Sequence, residues 1–175
     1  MTDFCEAIPL SNATIQSMVR RLKKKLGIKR DEYVNVLEIL ENKLPDMYPN
    51  FCLEIIPKEK MPNKHGLTIP ETNEIKIRED VYEGAFNGNG RDRLTIMHEI
   101  FHFIFHRGNN IIRHYGFARM EKKLPAYRNP EWQANAFAGA FLMDEETIKN
   151  LTISEIMDKY GVTYSAAVTQ KSKIH

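Results

Sequence analysis

Apolar residues recur at helical spacing over two segments near the start of the chain, 12–26 and 31–44. Gly27 is a favourable residue to end the first helix, because glycine adopts the left-handed conformation common at helix C-termini. Asp31 is expected to cap the second helix, and Pro45 to end it. The pattern therefore predicts a helical N-terminal part spanning residues 12–44.

The pattern then changes to short runs of β-branched residues separated by turn residues, between positions 51 and 78. Residues 51–56 and 66–69 read as strands, and residues 74–78 alternate polar and apolar side chains. Such alternation predicts a half-buried strand with Ile75 and Ile77 pointing inward. We expect one small sheet within 51–78.

Residues 91–106 form a predicted helix that is apolar almost all round, which indicates burial. A further helix is expected at 130–143, where Pro130 occupies the favoured first-turn position. The intervening segment 107–130 is basic and irregular and predicts a long loop, either a substrate wall or a solvated connection. Two short helices separated by Gly161 complete the pattern.

Composition adds little to this picture. The 175 residues are 42% hydrophobic and 27% charged, with a formal net charge of +2, as expected of an ordinary globular protein. Cys5 and Cys52 are too few for a disulfide scaffold and predict free thiols in a reducing compartment. No segment reads as a signal peptide or membrane span, so we expect a cytoplasmic protein with no membrane partner. We also expect no separate sensor domain after the tail.

The strongest chemical signal is His98-Glu99-Ile100-Phe101-His102 inside the buried helix. Two histidines four residues apart lie on one helix face and can share a metal ion, and Glu99 can reach a water in the ion's open position. The competing interpretation is a pair of core histidines beside a surface glutamate. Unpaired polar groups in a buried helix are costly, which favours the metal.

Glu131, in the first turn of the 130–143 helix, is the expected third ligand, because two histidines and one glutamate form a known catalytic zinc set. The alternative is a glutamate favoured only by the helix dipole. Asn135 lies on the same helix face and could hydrogen-bond the outer nitrogen of a ligand histidine. His106 is expected to interact with the carbonyls at the helix end and not to bind the metal.

This ligand set predicts hydrolysis of a peptide bond, with Glu99 as the general base. The substrate is expected to lie along an edge strand, either 66–69 or 74–78. Zinc is the expected ion, although manganese or another divalent ion suits the same ligands. The residues that stabilise the oxyanion cannot be chosen from the sequence, and the candidates are His65, His114, Tyr115, Tyr127 and Arg128.

The runs HEIFHFIFH and NPEWQANAFAGAFLMDEE resemble the ImmA/IrrE family of zinc metallopeptidases. The resemblance implies an α+β, zincin-like core with a small sheet packed on the active-site helix. It maps the family's metal ligands onto His98, His102 and Glu131, and its catalytic glutamate onto Glu99. Family members cleave helix-turn-helix repressors in the cytoplasm, often those of mobile elements or stress regulons, and the resemblance implies such an anti-repressor role.

The tail is similar to a helix-turn-helix pair, with Gly161 at the turn. We therefore expect a metallopeptidase domain at 1–146 and a helical appendage at 147–175. DNA binding by the appendage is possible, but packing on the core or docking of a repressor is favoured, since two helices alone make a poor DNA-binding domain.

Two other functions remain open at this stage. The chain could be a non-catalytic, metal-containing regulator that binds a repressor or DNA through its C-terminal helices. It could also be a general peptidase that degrades unfolded chains. The presence of Glu99 favours a catalytic over a purely structural metal site.

Overall fold

A computed structural model describes residues 4–114 and 124–174 of the chain. The strands are β1 Phe4–Ala7, β2 Cys52–Ile56, β3 Gly66–Ile69, β4 Glu74–Arg78 and β5 Ile111–His114. The helices are α1 Asn12–Leu26, α2 Val36–Glu38, α3 Leu44–Met47, α4 Glu79–Phe86, α5 Gly90–Phe105, α6 Pro130–Leu142, α7 Glu145–Ile148, α8 Ile153–Tyr160 and α9 Tyr164–Lys171. The fold is α+β with small sheets, as the sequence predicted.

The three-stranded sheet has the order β2-β4-β3, with β2 parallel and β3 antiparallel to the central strand. Ile75 and Ile77 of β4 are both 0% exposed, which confirms the inward orientation predicted from alternation. Because β4 is central, the prediction that 74–78 could be an edge strand is wrong. Gly66–Ile69 is the edge beside the long helix α5.

A second, two-stranded sheet was not predicted. β1 pairs antiparallel with β5, with Ala7 opposite Ile111 and Phe4 opposite His114. Each strand is four residues long, too short for a clear pattern, and the strands Phe4–Ala7 and Ile111–His114 are far apart in the sequence. β5 also falls within the segment 107–130, which the sequence analysis treated as irregular.

The helical N-terminal part differs from prediction at its second helix. The helix begins after Asn35, whose side chain accepts a hydrogen bond from Glu38 N, and not after Asp31. Pro45 does not end it but lies in the first turn of α3, after a π-helical segment, Ile39–Lys43. In a π turn the backbone hydrogen bonds join residues five positions apart instead of four. This shift accommodates Pro45, which has no N–H to donate.

Helices α5 and α6 form the centre of the core. Phe101 and Phe137 are 0% exposed and their ring centroids lie 4.7 Å apart, so the two helices interlock through aromatic side chains. α1 packs on the outside of α6, and β3 and β4 lie against α5. Over the described residues, no helix is both long enough and apolar enough to cross a membrane.

The C-terminal helices share this core. Tyr160 and Ala167 are 1% and 0% exposed. The buried guanidinium of Arg93, in α5, donates to the carbonyls of Tyr160 and Gly161. Thr152 caps α8 through a reciprocal pair of bonds with Glu155. The turn at Gly161 has the left-handed φ of 58°.

Candidate metal centre

Helix α5 carries the first three residues of the site. Asn89 caps its N-terminus by accepting hydrogen bonds from Arg91 N and Asp92 N. His98 and His102 point from one face of the helix, and their rings lie 4.6 Å apart between centroids. The interior faces of the helix are fully buried, so its position is fixed by packing.

Helix α6 brings the fourth residue to this face. Asn129 caps it through hydrogen bonds from Glu131 N and Trp132 N, and Pro130 occupies its first turn. The two helices run antiparallel, because Asn135 of α6 lies beside His98 while Glu131 lies beside both histidines. The Glu131 side chain is 69% exposed, so it faces open space as well as the two rings.

Three ligand atoms converge at the point where the helices meet. His98 Nε2 and His102 Nε2 are 3.0 Å apart, and they lie 3.1 and 3.3 Å from the two carboxylate oxygens of Glu131. A tetrahedral zinc ion with bonds of about 2.0–2.2 Å holds its ligand atoms roughly 3.3–3.5 Å apart. The two nitrogens and the carboxylate oxygen nearest to each come close to this spacing, and the ligand atoms of the three residues all lie within 4.8 Å of one another. Among the described residues, this is the set suited to holding a metal ion.

The outer nitrogen of His98 is held by Asn135. Nδ1 lies 2.8 Å from Asn135 Oδ1, and an amide oxygen can only accept, so Nδ1 carries the proton. The Nε2 atom of neutral His98 therefore presents a lone pair toward the carboxylate of Glu131. This is the arrangement in which an imidazole binds a metal ion.

A longer chain of hydrogen bonds orients His102. Gln133 donates from Nε2 to the carbonyls of Ile8 and Tyr127, both at 2.8 Å, which fixes its Oε1 as an acceptor. His106 Nε2 lies 2.8 Å from that oxygen and donates to it, so His106 Nδ1 is left to accept from His102 Nδ1, also at 2.8 Å. The Nε2 atom of His102 then has a lone pair facing the site.

Two nitrogen lone pairs 3.0 Å apart beside a carboxylate form a donor set that only a cation satisfies. Burial lowers the pKa of His106 to about 4, so this histidine is neutral, as the chain of bonds requires. Hydrogen bonds from His102 and His98 lower the pKa of Glu131, which keeps it ionised. Burial opposes the charged form of His98, but the carboxylate of Glu131 outweighs it and raises the pKa, so a proton competes with a metal ion for the Nε2 atom.

Neither His106 nor Gln133 was assigned this place from the sequence. The expectation that His106 bonds the carbonyls at the helix end is wrong, because its two nitrogens face His102 and Gln133. The sequence signal that could have indicated it is the spacing of four residues from His102, which places both rings on neighbouring turns of one face. Nothing local in the sequence singles out Gln133.

Glu99 lies beside the two histidines and is 8% exposed. Its Oε2 accepts a hydrogen bond of 2.7 Å from the hydroxyl of Thr68, on the edge strand β3. Gly66, two residues earlier on the same strand, allows this approach, because a Cβ atom at Gly66 would lie 2.6 Å from Glu99 Cγ. The edge strand thus fixes the position of the carboxylate.

The family model Peptidase_M78, the IrrE N-terminal-like domain, matches residues 56–170. The chain belongs to the ImmA/IrrE family. This family is one of metallopeptidases, so membership implies a peptidase with a divalent metal, typically zinc, and the His98, His102 and Glu131 group offers the matching donor atoms.

The fold of this ImmA/IrrE family member is similar to that of a solved structure, a Mycobacterium tuberculosis transcriptional regulator. The TM-score is 0.55 at 12% sequence identity, and the match covers 89% of this chain. It covers 46% of the regulator, so this chain spans about half of that protein's length. No curated protein shows significant sequence similarity to the chain.

An open cleft of about 1190 Å³ passes over the metal centre of this family member. Of the predicted oxyanion candidates, His65 lines the cleft, whereas Tyr127 and Arg128 are not among the described residues that line it. Arg128 is paired with Glu6 instead. His114 contributes its backbone to β5, and Tyr115 lies outside the described residues.

Proposed function

We propose that this chain is a zinc-dependent endopeptidase that hydrolyses a peptide bond in a protein substrate. The observation that carries the proposal is the convergence of His98, His102 and Glu131, whose ligand atoms all lie within 4.8 Å of one another, with Glu99 beside them on an open cleft. The proposed ligands are His98, His102 and Glu131. A structural zinc site would be closed by a fourth protein ligand, and none of the residues that the structure describes adds one to the group.

The chemistry supplied by a zinc ion held here is polarisation of the substrate carbonyl and activation of water at neutral pH. Glu99 is the proposed general base, which takes the proton from the attacking water and delivers it to the departing amine. Thr68 holds the Glu99 carboxylate in position through its 2.7 Å hydrogen bond. Asn135 and His106 keep the histidine protons on the nitrogens that face away from the centre.

The free edge of β3 is the proposed binding site for the substrate backbone. An extended peptide can add to an exposed strand edge through main-chain hydrogen bonds. β3 is paired with β4 on one side, and Gly66, Leu67 and Thr68 line the cleft on the other. A peptide paired with this edge passes next to Glu99.

We further propose that the substrate is a helix-turn-helix transcriptional repressor, whose cleavage turns genes on. This finer proposal is supported by the resemblance of the two motifs to the ImmA/IrrE family. The solved structure of similar fold is a transcriptional regulator, which is consistent with a place in transcriptional control. Because α8 and α9 pack against the core, we favour a structural or repressor-docking role for these helices over direct DNA binding.

The test begins with the metal content of purified protein, measured by elemental analysis. We expect one zinc ion per chain, lost in Glu131→Ala and retained in Glu99→Gln. The zinc-loaded protein should cleave a co-expressed helix-turn-helix repressor at one site and leave casein intact, whereas Glu99→Gln should cleave neither. Zinc retention with no hydrolysis by the wild-type protein would support the non-catalytic regulator, and rapid digestion of casein would support a general peptidase.

A further inference from the structure

The charged residues that line the cleft are distributed unevenly. Among the described residues, the two carboxylates on its walls are Glu99 and Glu131, and both lie in the metal centre. Away from the centre, the ionisable lining groups are Lys64, His65, Arg91 and Lys173. We call these four residues the basic half of the cleft.

Arg91 and His65 are in contact on one side of the metal centre, and Lys173 belongs to the wall formed by α9. Arg91 lies two turns before His98 on α5, and its guanidinium Nη2 is 3.1 Å from His65 Nε2, at the start of β3. Helix α9 forms the opposite wall in this half, because a Cβ atom at Gly139 would lie 3.1 Å from Gln170 Oε1. Lys173 is attached to this wall through a 3.0 Å bond to the same oxygen.

Among the described residues, Arg91 and Lys173 form no ion pair with a carboxylate, although Asp92 and Glu145 attract them at longer range. Arg30, Arg78 and Arg128 each pair with an acidic residue: Asp144, Asp80 and Glu6. The described side-chain contacts of Arg91 and Lys173 are instead to an imidazole ring and to an amide oxygen. A ligand anion would supply the missing charge.

Asp92 is the acidic residue closest to this region in the chain, and it reduces the positive potential only in part. Its carboxylate lies over α4, because a Cβ atom at Gly84 would be 1.9 Å from Asp92 Oδ2. It is not among the residues that line the cleft. The N-terminus of α5, which contributes a partial positive charge, lies in the same half.

We propose that the basic half of the cleft selects an acidic side chain of the substrate. The proposal rests on the proposed function, because it places that side chain relative to the bond cleaved at the metal centre. Arg91 and His98 are separated by two turns of α5, or roughly 10 Å. An extended peptide advances about 3.3 Å per residue, so the acidic residue lies within about three positions of the scissile bond, on one side of it.

The first test uses a peptide library prepared by chymotryptic digestion of a cell lysate, which keeps Asp, Glu, Lys and Arg at internal positions, with cleaved products sequenced by mass spectrometry. We expect Asp and Glu to be enriched about fivefold or more within three positions on one side of the cleaved bond. Arg91→Glu should abolish this enrichment and favour Lys and Arg at the same position. Arg21→Glu, an equally exposed arginine on α1 outside the cleft, should leave the profile unchanged.

The second test measures binding and does not depend on hydrolysis. Three fluorescein-labelled decapeptides are titrated with zinc-loaded Glu99→Gln protein at low salt. They differ only in their three central residues, which are all Glu, all Gln or all Lys. The Glu peptide should bind about five- to tenfold more tightly than the Gln peptide, and the difference should vanish at high salt or with Arg91→Glu.

The two tests separate the proposal from the proposed function. If neither the repressor nor any library peptide is cleaved but the Glu peptide binds selectively, the peptidase proposal fails and the acidic-ligand proposal stands. If peptides are cleaved without acidic enrichment, or all three decapeptides bind alike, the acidic-ligand proposal is overturned. Tighter, Arg91-dependent binding of a single-stranded oligonucleotide than of the Glu peptide would overturn it in favour of a nucleic-acid ligand.

Discussion

Gln133 Oε1 accepts a hydrogen bond of 2.8 Å from His106 Nε2, across the interface of α6 with the end of α5. Gln133 is 0% exposed and His106 is 6% exposed, so neither group has water as an alternative partner. The bond sets the proton position on His106, and through it the proton position on His102. A buried amide thus determines which nitrogen of a proposed metal ligand is free to bind.

Loss of this relay should weaken metal binding. His106→Leu removes the acceptor for His102 Nδ1–H, and we expect the zinc affinity to fall about 10- to 100-fold. His106→Asn keeps an acceptor oxygen at a similar position and should retain most of the affinity. Competition with a chromophoric chelator measures the zinc affinity of both variants. Equal affinities of His106→Leu and His106→Asn would argue against an orienting role for His106.

Thr68 should act on the rate and not on metal binding. Thr68→Val removes the hydroxyl that holds Glu99 Oε2 at 2.7 Å, and we expect kcat to fall about tenfold with little change in KM. Thr68→Ser keeps the hydroxyl and should keep most of the rate. Steady-state kinetics with the repressor as substrate, together with the zinc content of each variant, test this prediction. A fall in zinc content in Thr68→Val would instead assign Thr68 to the stability of the metal site.

Asp144 should contribute to stability through Arg30. The Asp144 side chain is 1% exposed and receives two hydrogen bonds from the Arg30 guanidinium, at 2.8 and 2.9 Å. Asp144→Asn should lower the free energy of unfolding by about 1–2 kcal/mol, a figure reduced for the exposure of Arg30. Glu54→Gln, which breaks the exposed pair with Lys76, should leave the urea midpoint almost unchanged, and a similar loss in both variants would contradict the prediction.

Lys23 should make the free energy of unfolding depend on pH in the alkaline range. The side chain is 1% exposed, and burial lowers its pKa below the 10.5 of an ordinary lysine, although nearby Asp144 acts in the opposite direction. Between the lowered pKa and 10.5 the unfolded chain binds more protons than the folded one, so the free energy of unfolding rises with pH in this window. Urea denaturation from pH 7 to about pH 10.5 should show this rise flattened in Lys23→Met.

Exposed Lys24→Met is the control, and it should leave the pH dependence of the wild type unchanged. The Lys23 ammonium group donates to the carbonyl of Arg30 at 3.1 Å, so Lys23→Met alters the absolute stability as well. The slope with pH, and not the stability at one pH, is therefore the quantity to compare. A slope in Lys23→Met equal to that of the wild type would assign the dependence to another group.

Local patterns were sufficient to predict the main elements. The bounds of α1 and α6 and the strands at 66–69 and 74–78 follow from periodicity and capping residues, which act within a few positions of the chain. The short elements β1, β5 and α7 were missed, because they contain too few residues for a period to show. Helix α4 was also missed, although it is as long as α8 and α9. The second helix was misplaced at its start, where Asn35 and not Asp31 provides the capping oxygen.

The sequence by itself determined which side chains share a helix face: His98 with His102 on one helix and Glu131 with Asn135 on another, since four residues make about one turn. Only the tertiary structure decided that these two faces meet with their ligand atoms within 4.8 Å of one another. It also decided that β3 is the edge strand against Glu99, and that buried Gln133 orients His106. Such contacts depend on packing between distant segments, which no local pattern encodes.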